Sequence, residues 1–190
     1  SLNSPSSLQV LSFAVTGSER AVLAGLLQHG IDGYVTVSDL ISYDTFTNAN
    51  NQILYKCIEN CINNDLKVDV STIVSSAQQL DVLDYINTEQ ELKYIKSLID
   101  FPIQRDNIFS FAVQIKKFEF ARKIKTLTKK IHKDIDQVQG NESINEIISI
   151  LENPVTDFLR EDDGGENPEQ IGDGVEDYVQ FLAENQCDII

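Results

Sequence analysis

Apolar residues recur at spacings of three and four along most of the chain, which is how helices with one buried face are written. Val22, Leu23, Leu26 and Leu27 form the first stripe. Thr16-x-x-Glu19, or Ser18 alone, offers its N-cap, and His29-Gly30 its stop. Gly25 lies inside this helix, where it costs roughly 1 kcal/mol relative to Ala, so close approach of another helix is expected there. Between 31 and 41, Tyr34-Val35-Thr36-Val37 has strand propensity, but no second strand lies nearby to pair with it, and a short helix is expected. A turn at Tyr43-Asp44-Thr45-Phe46 sets Phe46 in the core. Leu54, Cys57, Ile58, Cys61 and Ile62 define a helix over 50–63, and Asp69 caps another over 70–80 that buries Ile73, Val74 and Ala77. A short helical turn over 81–86 follows. Thr88-x-x-Glu91 then opens a helix with Leu92, Ile95, Leu98 and Ile99 inside, ended by Phe101-Pro102.

A much longer pattern comes next. Residues 103–138 predict a helix of about 50 Å, at 1.5 Å per residue. One apolar row runs Ile108, Phe111, Ile115, Phe118, Ala121, Ile124, Leu127, Ile131, Ile135, Val138. A second row, Phe109, Val113 and Phe120, makes the first half apolar on two sides. One side needs a hairpin partner; the other needs either the globular body or another subunit. After a Gly140-Asn141 turn, Ser143-x-x-Glu146 opens a return arm whose Ile144, Ile147, Ile148, Leu151, Val155 and Phe158 are expected to face the first arm. Pro154 is expected to kink this helix or restart it at Asn153.

The pattern therefore predicts an all-α protein: a lead-in over 1–15, a globular helical subdomain over 16–101, a helical hairpin over 102–160, an acidic flexible linker over 161–172 and, over 173–190, a tethered helix to Asn185 followed at Asp188-Ile189-Ile190 by the start of a further strand. Val175, Tyr178, Val179, Phe181 and Leu182 give that last helix an apolar face too large to leave in water, as in a segment that docks on something else.

Charge changes the picture of the hairpin. The net charge is −15, yet residues 101–140 are net +5 and residues 141–190 net −13. The whole chain would be repelled by nucleic acid, and any acidic partner must be met on the first arm. That arm's basic face reads either as a solvated surface or as a contact for nucleic acid or an acidic partner. Lysines and glutamates across the hairpin add no more than ~1 kcal/mol per exposed pair.

Candidate chemistry is sparse. Cys57 and Cys61 sit four apart among Ile53, Leu54, Ile58 and Ile62; they read as reduced core thiols rather than half a zinc site, since His29 and His132 are isolated. No phosphate loop, catalytic triad or metal constellation is present, so no catalytic, cofactor or metal residue is assigned. No apolar run reaches the ~18 residues of a membrane span. Met is absent even at position 1, which points to a processed or shortened chain.

With the helices placed, the sequence resembles the N-terminal domain of DnaB-type replicative DNA helicases, bacterial or phage. Ser18-Glu19-Arg20-Ala21-Val22-Leu23-Ala24-Gly25-Leu26-Leu27 is similar to that family's opening Glu-x-Ala-Val-Leu-Gly-x-Leu-Leu pattern. Phe46 with Asn50-Asn51-Gln52-Ile53-Leu54-Tyr55 echoes a later Phe-x-x-x-x-His-x-x-Ile-Phe segment, without the His. Lys67-Val68-Asp69-Val70-Ser71-Thr72-Ile73 echoes Pro-Ile-Asp-x-x-Thr-Leu. Tyr94-Ile95-Lys96-Ser97-Leu98 and Asn107-Ile108-Phe109-Ser110-Phe111-Ala112-Val113-Gln114-Ile115 resemble the helix and the hairpin entry that follow, with Phe111 in place of Tyr. The resemblance spans about 16–160, and the order of five segments carries it. It implies a collar domain of a hexameric 5′-3′ helicase, with ATP and Mg bound by a motor domain elsewhere in the parent protein and none in this chain. It further implies homo-oligomers (dimers or a trimer of dimers), primase and a loader as partners, single-stranded DNA engaged by the parent, no membrane, and a cytoplasmic setting. By position it makes Phe111, Ile115 and Phe118 candidates for subunit contacts, and Tyr178, Val179 and Leu182 candidates for docking of the linker helix. The competing reading is a freestanding adaptor, such as a primase's helicase-binding domain or a loader.

Overall fold

The structure is a computed structural model that describes residues 7–162, with side chains over 15–161. The linker, the tethered helix, the strand start at 188–190 and Tyr178, Val179 and Leu182 lie outside the described residues. Seven helices and one 3-10 turn make up the described chain, with no strand among them: α1 (Ser7–Val35), the 3-10 turn (Tyr43–Thr45), α2 (Ala49–Asn63), α3 (Val70–Gln79), α4 (Leu83–Ile86), α5 (Glu89–Ile99), α6 (Arg105–Ile135) and α7 (Ile144–Asp162).

Local chemistry explains most of the boundaries. The Asn48 side chain accepts from the backbone N–H groups of Asn50 and Asn51 to start α2. Asp69 and Thr72 form a capping box on α3, and Thr88 accepts from the Glu91 N–H at the start of α5. At α7, Ser143 Oγ accepts from the Glu146 N–H at 3.2 Å while the Glu146 carboxylate takes the Ser143 N–H at 2.6 Å. Gly30 breaks α1 with φ 53° and ψ −130°, a conformation that glycine adopts without a Cβ penalty, and a short helical turn to Val35 follows.

The start of one helix differs from expectation. Helix α1 begins at Ser7, well before Thr16 or Ser18, because the residues that looked like caps work elsewhere. The Ser18 hydroxyl donates to Gln114 Oε1 at 2.7 Å, and the Glu19 carboxylate reaches Thr47 and Asn51. Helix α7 runs through Pro154 as one helix without restarting at Asn153. The first compact unit, Ser1–Lys123, extends past residue 101 because the opening turns of α6 enter its core.

That core gathers Val22, Leu23 and Leu26 of α1, Phe46, and Leu54, Tyr55 and Ile58 of α2, with Ile73, Ile86, Ile95 and Leu98 from α3 to α5. Ile108, Ala112 and Ile115 of α6 complete it. The Phe46 and Tyr55 rings pack at 5.2 Å between centroids. The second unit, Ile124–Ile190, contains the last third of α6, the turn at Gly140 (φ 94°) and α7 as its described part. There the Glu142 carboxylate accepts from the N–H groups of Gln139 and Gly140, which closes the hairpin turn and holds that carboxyl below its ordinary range.

Candidate interaction surfaces

In the first unit, α6 is fastened to the body by polar as well as apolar contacts. Glu119, only 3% exposed, lies between Lys123 at 2.7 Å and Lys116 at 3.0 Å. The Lys116 ammonium pairs with Oε2 by charge without an aligned hydrogen bond. Burial pushes the Glu119 carboxyl up, but Lys123 and Lys116 outweigh it and hold the group below its ordinary range. One helical turn on, the Arg122 guanidinium donates to the Thr45 carbonyl at 2.8 Å.

The three hairpin candidates fall on different depths of this helix. Ile115 is 1% exposed and fully enclosed by its own core. Phe111 is half-buried and packs against that core, and Phe118 is half-buried. Phe109, which belongs to the second apolar row, is 51% exposed.

The second unit carries more open apolar surface. On α7, Ile147, Ile150, Pro154, Val155 and Phe158 are half-buried. Ile144 (72%), Ile148 (44%), Leu151 (52%) and Leu159 (52%) are exposed, at spacings of four, three and eight. The first three belong to the stripe expected to face the other arm, and they remain exposed. An apolar arc that includes both Ile147 and Ile148 spans at least about 100°, wider than the narrow seam of a two-stranded coiled coil.

Opposite charges meet little of this surface. Lys125, Lys129, Lys130 and Lys133 are all exposed on α6, and none makes an ion pair among the described residues. The imidazole of His132 sits 3.6 Å from Asp136.

Two of the thiols lie in the core. Cys57 and Cys61 are free and buried, and burial pushes the Cys57 thiol up to about 11. No group of three or more metal-binding side chains occurs among the described residues, and no described helix is long and apolar enough to cross a membrane. A cleft of about 430 Å³ between α1 and the α2–α3 loop is lined by Leu27, His29, Ile62 and Leu66 among others. His29 bonds through Nε2 to the Ile103 carbonyl at 2.9 Å rather than facing a reactive partner.

These surfaces belong to a helical domain that leaves apolar side chains of α7 exposed. The model of the DnaB-like helicase N terminal domain matches residues 14–117, more than half of the chain, and the chain belongs to that family. Among solved structures it is similar to the crystal structure of the N-terminal domain of DnaB helicase from Mycobacterium tuberculosis, at a TM-score of 0.61 and 17% identity. That match covers 74% of this chain and 94% of the other. The likeness confirms the all-α fold. Compared with curated protein sequences, the chain has no significant match.

Proposed function

We propose that this domain is the non-catalytic collar of a hexameric, ATP-dependent 5′-3′ replicative DNA helicase, pairing subunits and receiving primase or a loader. Membership of the helicase N-terminal family supports the setting. The observation that carries the pairing is the exposed row Ile144, Ile148 and Leu151 on α7, an apolar surface that association with a second copy would remove from water. Phe111 and Phe118 are separate candidates for subunit contacts on α6, and Ile115 fixes that helix to the core. Tyr178, Val179 and Leu182 dock the linker helix on a neighbouring motor domain, where ATP and Mg are held and single-stranded DNA is engaged. The whole assembly works in the cytoplasm.

Sedimentation equilibrium tests the pairing. The 190-residue chain is expected to self-associate with rising concentration, and Ile148→Glu/Leu151→Glu is expected to sediment as a monomer. A wild-type chain that stays monomeric at its solubility limit, or a double variant that associates equally well, removes α7 as the interface.

A further inference from the structure

We propose that the basic face of α6 from Lys125 to Lys133 is the docking surface for the acidic end of this same chain, residues 163–190. Positions 125, 129 and 133 follow one another at four-residue spacing, so their side chains share a face, and Lys130 flanks them. All four side chains are exposed, and like charges four apart on a helix destabilise it unless something neutralises them.

Of the acids on the same hairpin, Glu142, Glu146 and Asp136 are already engaged, and none of Asp134, Glu152, Asp157 and Glu161 pairs with these lysines among the described residues. The Glu142 carboxylate holds the N–H groups of Gln139 and Gly140, and the Glu146 carboxylate holds that of Ser143. Asp136 pairs with His132. Elsewhere on α6, Lys116 and Lys123 share Glu119, and Lys117 stands apart as an exposed lysine. The lysines without an ion pair among the described residues thus cluster at 125–133.

Residues 163–190 hold eight acids (Asp163, Glu166, Glu169, Asp173, Glu176, Asp177, Glu184 and Asp188) and no Lys, Arg or His. At ~3.3 Å per residue this segment can extend to ~90 Å, about twice the length of α6, so every lysine of the face is in range of it. A tethered ligand of this kind acts at an effective concentration in the millimolar range. A free polyanion such as single-stranded nucleic acid has no such advantage, and it also meets a chain of net charge −15. The acidic segment therefore masks the basic face until something displaces it. The contact uses carboxylates and leaves Tyr178, Val179 and Leu182 for the docking proposed above.

The segment supplies its own probe. Cys187 belongs to this segment, and Cys57 and Cys61 are 0% exposed, so a thiol-reactive fluorophore is expected to label the segment selectively. In the 190-residue chain the dye's anisotropy is expected to be high at about 20 mM salt and to fall at about 500 mM, where the Debye length is only a few ångströms. Lys125→Glu/Lys129→Glu/Lys133→Glu is expected to give the low value at both salts. In parallel, a chain with the eight acids changed to Asn or Gln is expected to bind a single-stranded oligonucleotide at least about tenfold tighter than wild type at low salt. Anisotropy indifferent to salt and to lysine charge overturns the proposal. So does anisotropy that rises with protein concentration, which would place the acids of a second copy on the face. Equal oligonucleotide binding by the wild-type and neutralised chains would show the face to be open, and overturns it too.

Discussion

Ile108 occupies the space in which Gly25 would carry a side chain: a Cβ built on Gly25 would lie 2.5 Å from Ile108 Cγ1 and 2.8 Å from Cδ1. The glycine that the helical pattern of α1 disfavours is the site where α6 crosses it. Gly25→Ala gains helix propensity of up to ~1 kcal/mol but forces a branched, fully buried side chain to move, at ~1–3 kcal/mol. The substitution is therefore expected to destabilise the domain by about 1–2 kcal/mol in a urea titration, and Ile108→Val should recover part of the loss. An unchanged midpoint would mean that the crossing relaxes freely.

The Glu19 carboxylate, 1% exposed, accepts from the Thr47 N–H and hydroxyl, both at 2.6 Å, and from Asn51 Nδ2 at 2.8 Å. Asn51 in turn accepts from the Tyr94 hydroxyl at 2.9 Å. Glu19→Ala strands three donors and is expected to cost about 3 kcal/mol or more, since each buried unsatisfied group costs ~1–3 kcal/mol. Glu19→Gln replaces one acceptor oxygen by a donor and should lose nearly as much. A loss below about 1 kcal/mol in either variant, read from chemical denaturation, would show that water replaces the carboxylate.

Glu119 makes stability depend on acid. Its folded-state carboxyl lies below the ordinary 4.5, so on acidification the unfolded chain takes up the proton first. Its contribution is complete above about pH 4.5 and is lost as the pH falls through the lower folded-state value. Asp69, held low by the Ser71 hydroxyl and the Thr72 N–H, acts in the same direction. The urea midpoint of wild type should fall between pH 5 and about pH 3, and Glu119→Gln should show a shallower fall. Identical slopes in the two chains would remove Glu119 as a contributor.

Pro154 lies inside α7 and cannot donate a backbone hydrogen bond there. Pro154→Ala is expected to raise the helical signal at 222 nm and to stabilise the hairpin by about 1–3 kcal/mol. A decrease instead would mean that packing by the half-buried pyrrolidine ring outweighs the missing bond.

Features of the sequence that act locally were legible before any coordinates. Asp69, Thr88 and Ser143 cap the helices they were expected to cap, and Gly30 and Phe101-Pro102 end the expected ones, because each of these effects is decided within a few residues. Ser18 and Glu19 misled for the opposite reason: their side chains bond to Gln114, Thr47 and Asn51, which are distant in sequence. The candidate interface shows the same division. Periodicity identified Ile115 and Ile148 alike as apolar positions, but which neighbour covers them is a tertiary fact. The body covers Ile115 completely, while Ile148 remains open.

The node of Glu19, Thr47, Asn51 and Tyr94 has one more consequence. Apolar side chains alone let packed helices slide by part of a turn at modest cost, since Leu and Ile fill one another's places tolerably well. A carboxylate that must meet three donors at once admits one axial position of α1 against α2, and the Tyr94 hydroxyl extends that constraint to α5. The four residues thus act as a registration pin, and Glu19 and Asn51 should be free to change only as a pair.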